Sequence, residues 1–387
     1  MNRIGPISIL HVIAISLTMI GLKNHVSILP AMLSTGGRDG WMAVILSAIL
    51  IFPWLFLLLY IHNQSKQQSM REWLLDTAGP RNGKVLLYII SFYLVFNAAI
   101  SMREAIQWME MTFLPLTPLL ILLILFTILC ILLASSNIQT IAILNVIVLL
   151  GVLILGFFIA FVNITVKDYS LLFPMLEDGM EPVWKATVFP ASGYTELLFL
   201  LLIQQHFKDK MKWYHFGILL FLICGLTLGP LIGAIVEFGP DEAAKQQYPA
   251  YEEWGLATIG HYIEHVDFFS IYQWLTGAFI RVGVLLFIVV ELLDLKQKNK
   301  KKKIWLVLAP VFFFLCIYFV WLNDQIFTKI RSHYFIIFSF VFTFILAFIL
   351  AGIAYFSKKK RKNEDNKQDK LGRRRRAKSN RKEKETS

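Results

Sequence analysis

Three basic side chains, Lys23, Arg103 and Arg281, stand inside apolar stretches of this sequence, and so does the carboxylate Glu196. An ionised side chain at mid-bilayer costs roughly 2.5–3.5 kcal/mol even on lenient insertion scales. Such residues persist where they face a polar cavity or one another, not where they face lipid. The chemistry they point to is recognition of a small polar solute inside a membrane protein. Arg281 lies deep in its stretch and needs a carboxylate. Glu196 is the expected partner in preference to Glu104, because a lone carboxylate at that depth would protonate.

Further polar side chains recur at helical spacing. Tyr93, Asn97, Ser101, Glu104 and Trp108 share one helix face. Asn97 and Ser101 are candidates for ligand contact, while Arg103 and Glu104 read as a structural ion-pair seam close enough to a helix end to snorkel. Asp267, Ser270, Trp274, Gly277 and Arg281 mark a second face, where Trp274 is either a pocket wall or an interface anchor. His11 and His25 could titrate near neutral pH, although packing is the commoner use of such residues. Asn163-Ile-Thr165 fits the glycosylation acceptor pattern. The acidic residues Glu177, Asp178, Glu181, Asp241, Glu242, Glu252 and Glu253 gather in two connections and read as a solvated face. No nucleotide loop, metal cluster or nucleophile–base arrangement is present, so neither an enzyme nor a cofactor is expected.

The elements that hold these residues are membrane spans. The chain of 387 residues is 57% apolar with 32 Phe, which excludes an ordinary soluble domain. Cys130, Cys224 and Cys316 each lie in an apolar run, with no CxxC, so neither a disulfide framework nor a zinc site is suggested. Hydropathy predicts ten transmembrane helices, near Ile7–Leu33, Trp41–Ile61, Val85–Met111, Leu119–Ala134, Thr140–Val162, Trp184–His206, Tyr214–Phe238, Phe268–Leu295, Ile304–Asn323 and Tyr334–Phe356. One set of span ends, with the tail, holds 29 Lys and Arg, from Arg3 through Lys66, Lys212 and the Lys300–Lys303 run. The opposite connections hold six, with Arg331 counted among them. The positive-inside rule then places both termini in the cytoplasm.

Loop lengths carry a further pattern. The long connection after span 2 contains a helix-like piece at Met70–Ala78, and the long one after span 7 contains another at Tyr251–Glu264. The same rhythm on opposite sides predicts a 5+5 inverted repeat, in which spans 1 and 6 are broken. Gly21-Leu22-Lys23-Asn24-His25 and Pro190-Ala191-Ser192-Gly193-Tyr194, followed by Glu196, are the candidate breaks. Freed backbone groups there need a polar partner, which a bound solute can supply. The candidate ligand-binding residues are therefore Gly21, Leu22, Lys23, Asn97, Ser101, Ser192, Gly193, Tyr194, Glu196 and Trp274, with Glu196, Arg281, Arg103 and Glu104 as structural ion pairs. The domain plan is a permease-like unit over 1–356 and a basic tail over 357–387. That tail, with fifteen Lys and Arg against five acidic residues, is too charged to fold and is expected along anionic lipid headgroups. Positive-inside bias accounts for most of its charge without nucleic acid.

Several segments are similar to a known family. Leu114-Pro-Leu-Thr-Pro118 after Arg103-Glu104, Ile28-Leu-Pro30 with Gly36-Gly-Arg-Asp-Gly-Trp41, Tyr248-Pro249 with Ile263-Glu264, Asp267 and Trp274, and Gly193 with Glu196 resemble the endospore germination permeases. These are the B subunits of GerA-type germinant receptors, in the amino acid–polyamine–organocation superfamily. The resemblance runs from about Gly5 to Phe356. His265 and the polar Lys23-Asn24-His25 depart from the family pattern, so no particular germinant is transferred. The resemblance implies an inner-membrane receptor subunit that binds a small nutrient between helices 1, 3, 6 and 8. A nutrient carboxylate would lie on a half-helix N-terminus, and the signal would pass to A and C subunits. An amino acid transporter on the same fold, or a scaffold with a vestigial pocket, remains open at this point, because fold does not fix function.

Overall fold

The computed structural model describes residues 6–258, 265–295 and 302–359. Arg3, Ile263-Glu264, the stretch 296–301 and the tail from 360 onward lie outside the described residues, so the tail's expected lipid contact falls there.

In a bilayer every backbone N–H and C=O must be satisfied by the protein itself, and apolar runs of this length meet that demand as helices. Among the described residues the chain is helical, with one isolated bridge between Ile7 and Phe207. The order begins α1 (Ile9–Leu22), a π-helical turn (Lys23–Ser27), α2 (Leu29–Gly36), α3 (Gly40–Ser65), α4 (Met70–Thr77) and α5 (Pro80–Thr112). Next come α6 (Leu119–Ser135), α7 (Ile138–Val162), α8 (Glu181–Ala186), α9 (Val188–Tyr194), a 3₁₀ turn (Thr195–Leu198) and α10 (Phe199–Leu202). Then follow α11 (Trp213–Phe238), α12 (Pro240–Ala243), α13 (Pro249–Gly255), α14 (Phe269–Leu292), α15 (Ala309–Trp321) and α16 (Asp324–Lys329). A π-helical stretch (Ile330–Phe335) leads into the last helix, α17, over 336–359.

Eight helices among the described residues are long and apolar enough to cross a membrane. Leu119–Ser135 is shorter than that measure, and the expected span 6 is divided among α8, α9, α10 and 3₁₀ turns, so neither counts by length. The expected break in span 1 is present, and one boundary differs from the sequence expectation. Span 1 is interrupted at Lys23–Ser27, where widening to π geometry absorbs a polar pentapeptide and Pro30 starts the next helix. The last helical segment begins at Asp324 rather than Tyr334, so Arg331 belongs to a helix and is buried, not a loop residue.

The repeat is visible in the packing. The helices α3 and α11 have 26 residues each, both carry an internal proline (Pro53 and Pro230), and they lie against one another. Likewise α5 packs along α14, which is covered on most sides by α1, α5, α6 and α7. Short helices follow α3 (α4) and α11 (α12 and α13). Gly239, at φ +80°, lets the chain leave α11 and restart at Pro240. Lipid-facing surfaces are recognisable by exposed Leu125, Leu129 and Leu132 on α6 and Ile147, Ile154 and Phe157 on α7.

Candidate functional site

The two interrupted segments face each other at the centre of the bundle. Lys23, in the π turn, sends its ammonium across to span 6, where Nζ donates to the Ser192 carbonyl and to Glu196 Oε1, both at 3.0 Å. Its third hydrogen bond goes to Ser339 Oγ on α17, also at 3.0 Å. Arg281, on α14, meets the same carboxylate with Nη1 to Oε2 at 2.7 Å and Nη2 to Oε1 at 2.9 Å. Its Nε donates to Ser101 Oγ and its Nη2 to Asn97 Oδ1, each at 3.0 Å, and Nη1 also donates to the Met19 carbonyl. Asn97 Nδ2 donates back to Glu196 at 3.2 Å. Tyr93 and Ser339 share a 2.7 Å hydrogen bond beside this network.

Five spans are thus joined through one carboxylate that is 0% exposed. Breaking a pair at such a site leaves a charge with no water to answer it, which costs ~3–5 kcal/mol. Two basic side chains therefore share one carboxylate in this layer. All three Lys23 donors and every Arg281 nitrogen are already bonded, which makes this layer primarily a clamp.

A second polar layer lies one turn along α5. Glu104 accepts from Ser27 Oγ at 2.6 Å through Oε2 and from Arg331 Nη1 through Oε1. Its neighbour Arg103 turns the other way. It donates to the Phe319 carbonyl at 2.9 Å and to Asp324 Oδ1 at 2.7 Å, with its guanidinium 4.4 Å over the Phe327 ring. The two residues therefore serve separate seams. Both are buried, at 2% and 4% exposure, so neither snorkels to the interface.

One turn further, aromatic rings close over the polar layers. Trp108 and Trp274 stack at 4.3 Å, Tyr248 meets Trp274 edge-on at 4.9 Å, and Tyr251 meets Trp108 at 5.5 Å. Burial pushes the Tyr248 phenol up to about 12. Trp274 is a buried wall of this layer, seven residues from Arg281 and so about 10 Å along the helix.

The remaining candidates divide. Gly193 approaches the Asn24 amide so closely that a Cβ there would overlap it. Gly21 packs on Leu226, and Leu22 packs on Gly277. The Ser192 hydroxyl bonds back to the Phe189 carbonyl at 2.7 Å. Tyr194 turns away to α3, donating to the Val44 carbonyl at 3.4 Å. His11 bonds Ser8, and His25 bonds backbone at Leu226. Asn163 is 1% exposed and donates to Glu237 and to the Glu253 carbonyl, so no glycan can be attached there in the folded chain. Glu253, expected at a solvated face, is buried.

Among the buried polar atoms with no protein partner are Asn24 Oδ1, in the π turn, and Trp108 Nε1, in the aromatic layer. Buried polar groups are ordinarily paired, so such orphans ask for a reason. Sequence reasoning passed over Asn24 as a site residue, along with Ser27, Ser339, Tyr248 and Arg331. A lone Ser in a span, or a Tyr in a connection, carries no periodic signal, and Arg331 was hidden by the misplaced helix start.

Residues 7–325 match the spore germination protein family. The chain belongs to that family. It is 37% identical to spore germination protein XB of Bacillus anthracis over 316 residues, covering 82% of this chain and 88% of that protein. It is 21% identical to spore germination protein KB of Bacillus subtilis (strain 168), covering 66% and 69%. Among solved structures it shares the fold of Mhp1, a nucleobase-cation-symport-1 family transporter in a closed conformation with bromovinylhydantoin bound. The TM-score is 0.51 at 12% identity, covering 93% of this chain and 94% of the other. The chain is accordingly an integral membrane protein of a receptor and permease family rather than an enzyme.

Proposed function

We propose that this chain is the membrane subunit of a spore germinant receptor, binding a small nutrient, most simply an amino acid, between the interrupted spans 1 and 6 and the faces of α5 and α14. The observation that carries the reading is a pair of buried orphans, Asn24 Oδ1 in the span 1 break and Trp108 Nε1 in the aromatic layer. An amino acid carries both the donor and the acceptor they lack. The Lys23 and Arg281 side chains, two basic groups on one carboxylate, favour an anionic ligand group nearby without direct contact. Tyr248, Tyr251, Trp108 and Trp274 would have to part for entry. The signal would pass to A and C partner subunits, since the related proteins carry spore germination names, among them A2, XB and KB.

The fold shared with Mhp1 supports a second reading, active transport. Spores carrying this chain as their only permease-like germination subunit should respond to a nutrient that purified chain in liposomes does not accumulate. Accumulation against a gradient would favour transport instead.

A further inference from the structure

We propose that Glu253 is a proton-binding carboxyl that latches the loop helix α13 onto the end of α11, seated while protonated beside Glu237 and driven out when ionised. The geometry is two buried carboxyl groups on packed elements, only one of which is paired with an ammonium. Lys167 Nζ lies 3.4 Å from Glu237 Oε1, and the Glu237 side chain is only 1% exposed. Asn163 Nδ2 ties Glu237 Oε2, at 2.9 Å, to the Glu253 carbonyl, at 2.7 Å, and so binds α13 to α11. Glu253 is 8% exposed, and its Oε1 has no hydrogen-bond partner. Its carboxyl fills the space a side chain at Gly233 would take, with both oxygens 2.9 Å from the position of a Cβ there. Gly233 is one turn from Glu237 on α11.

One ammonium balances one carboxylate, and the second must then be neutralised by something else. A proton is the simplest counter-ion, because two adjacent carboxyl groups in a dry site cannot both ionise cheaply. Burial, followed by the Glu237 charge, raises the Glu253 carboxyl well above its ordinary value, while Lys167 pulls it back. The charged groups of the neighbouring elements are otherwise engaged. In the π turn Lys23 is committed to Glu196 and His25 to backbone; at the start of α14 Asp267 faces Tyr251; Glu252 on α13 itself points to solvent.

The direction of the pH effect follows. Below the ordinary carboxyl value both undocked and docked forms are protonated, and docking is at full strength. As pH rises, the undocked form ionises first, so docking weakens about tenfold per pH unit until the docked carboxyl itself ionises. Because α13 carries Tyr251, and Tyr248 immediately precedes it, acid would hold the aromatic layer shut and alkali would loosen it. That consequence rests on the ligand reading above; the latch does not.

The test is hydrogen exchange of the α13 amides in the full chain in lipid nanodiscs between pH 5 and 9, corrected for intrinsic rates. Wild-type protection should fall about tenfold per pH unit over part of that range, and Glu253→Gln should stay protected throughout. Glu237→Gln should end the decline at a lower pH, because the neighbouring charge is gone. Gly233→Ala, which crowds the seat without altering charge, should lower protection at every pH. Parallel profiles for wild type and Glu253→Gln would overturn the latch. So would full recovery of wild-type protection at pH 9 on adding calcium, because the carboxyls would then hold a metal cation rather than a proton.

Discussion

Arg281 and Glu196 meet side by side, two nitrogens on two oxygens at 2.7 and 2.9 Å, and the Lys23 ammonium completes the site at 3.0 Å from the same carboxylate. The stoichiometry has consequences. Loss of Glu196 strands two cations, whereas loss of Arg281 leaves a neutral Lys23–Glu196 pair.

Glu196→Gln should therefore be the most damaging single change in this layer, lowering thermal stability and membrane level by an amount corresponding to about 3–5 kcal/mol. Arg281→Gln should cost less, and Lys23→Met combined with Glu196→Gln should recover part of the loss. Detergent-solubilised melting curves measure all three. A Glu196→Gln protein as stable as wild type would mean that the two cations are neutralised elsewhere.

Gly193→Ala places a methyl group on the Asn24 amide and must push the two breaks apart, whereas Gly225→Ala, on α11, enters open space. Spore germination assays should show the first variant unresponsive at normal protein level and the second unaffected. Equal responses would remove the contact between the breaks from the account.

The Trp108–Trp274 stack predicts a third result. Trp274→Ala should insert normally and shift the nutrient concentration for half-response upward. Loss of the ring pair alone, about 0.5–1.5 kcal/mol, corresponds to roughly a two- to thirteenfold shift. An unchanged dose response would return Trp274 to the role of an interface anchor.

Arg331 provides a contrast between sequence and structure. As a loop residue its removal would be harmless; as the buried partner of Glu104 it should not be. Arg331→Gln is expected to lower expression several-fold, with partial recovery when Glu104→Gln is added. Measured membrane levels decide between the two placements.

The membrane class and the interrupted spans were legible because Lys23, Gly193 and Glu196 break otherwise apolar runs, and a charge in such a run has few physical options. Their partners were harder to read. Ser339 and Asn24 become important only through contacts more than 160 residues away in the chain, which no local period encodes. Arg331 was misplaced because its polar neighbours, Lys329, Ser332 and His333, mimic a loop, although the helix continues through them as a π stretch. Glu253 was read as solvated because loop carboxylates usually are; only the groove at Gly233 shows otherwise.

The central claim is that a nutrient binds at the interrupted spans. The direct measurement is hydrogen exchange on the full chain in lipid nanodiscs, with and without a nutrient that triggers germination of spores carrying this chain. Added nutrient should protect residues 23–28 and 187–198, together with the α13 amides, and Gly193→Ala should abolish that protection. Protection confined to other segments, or equal protection in Gly193→Ala, would contradict the account.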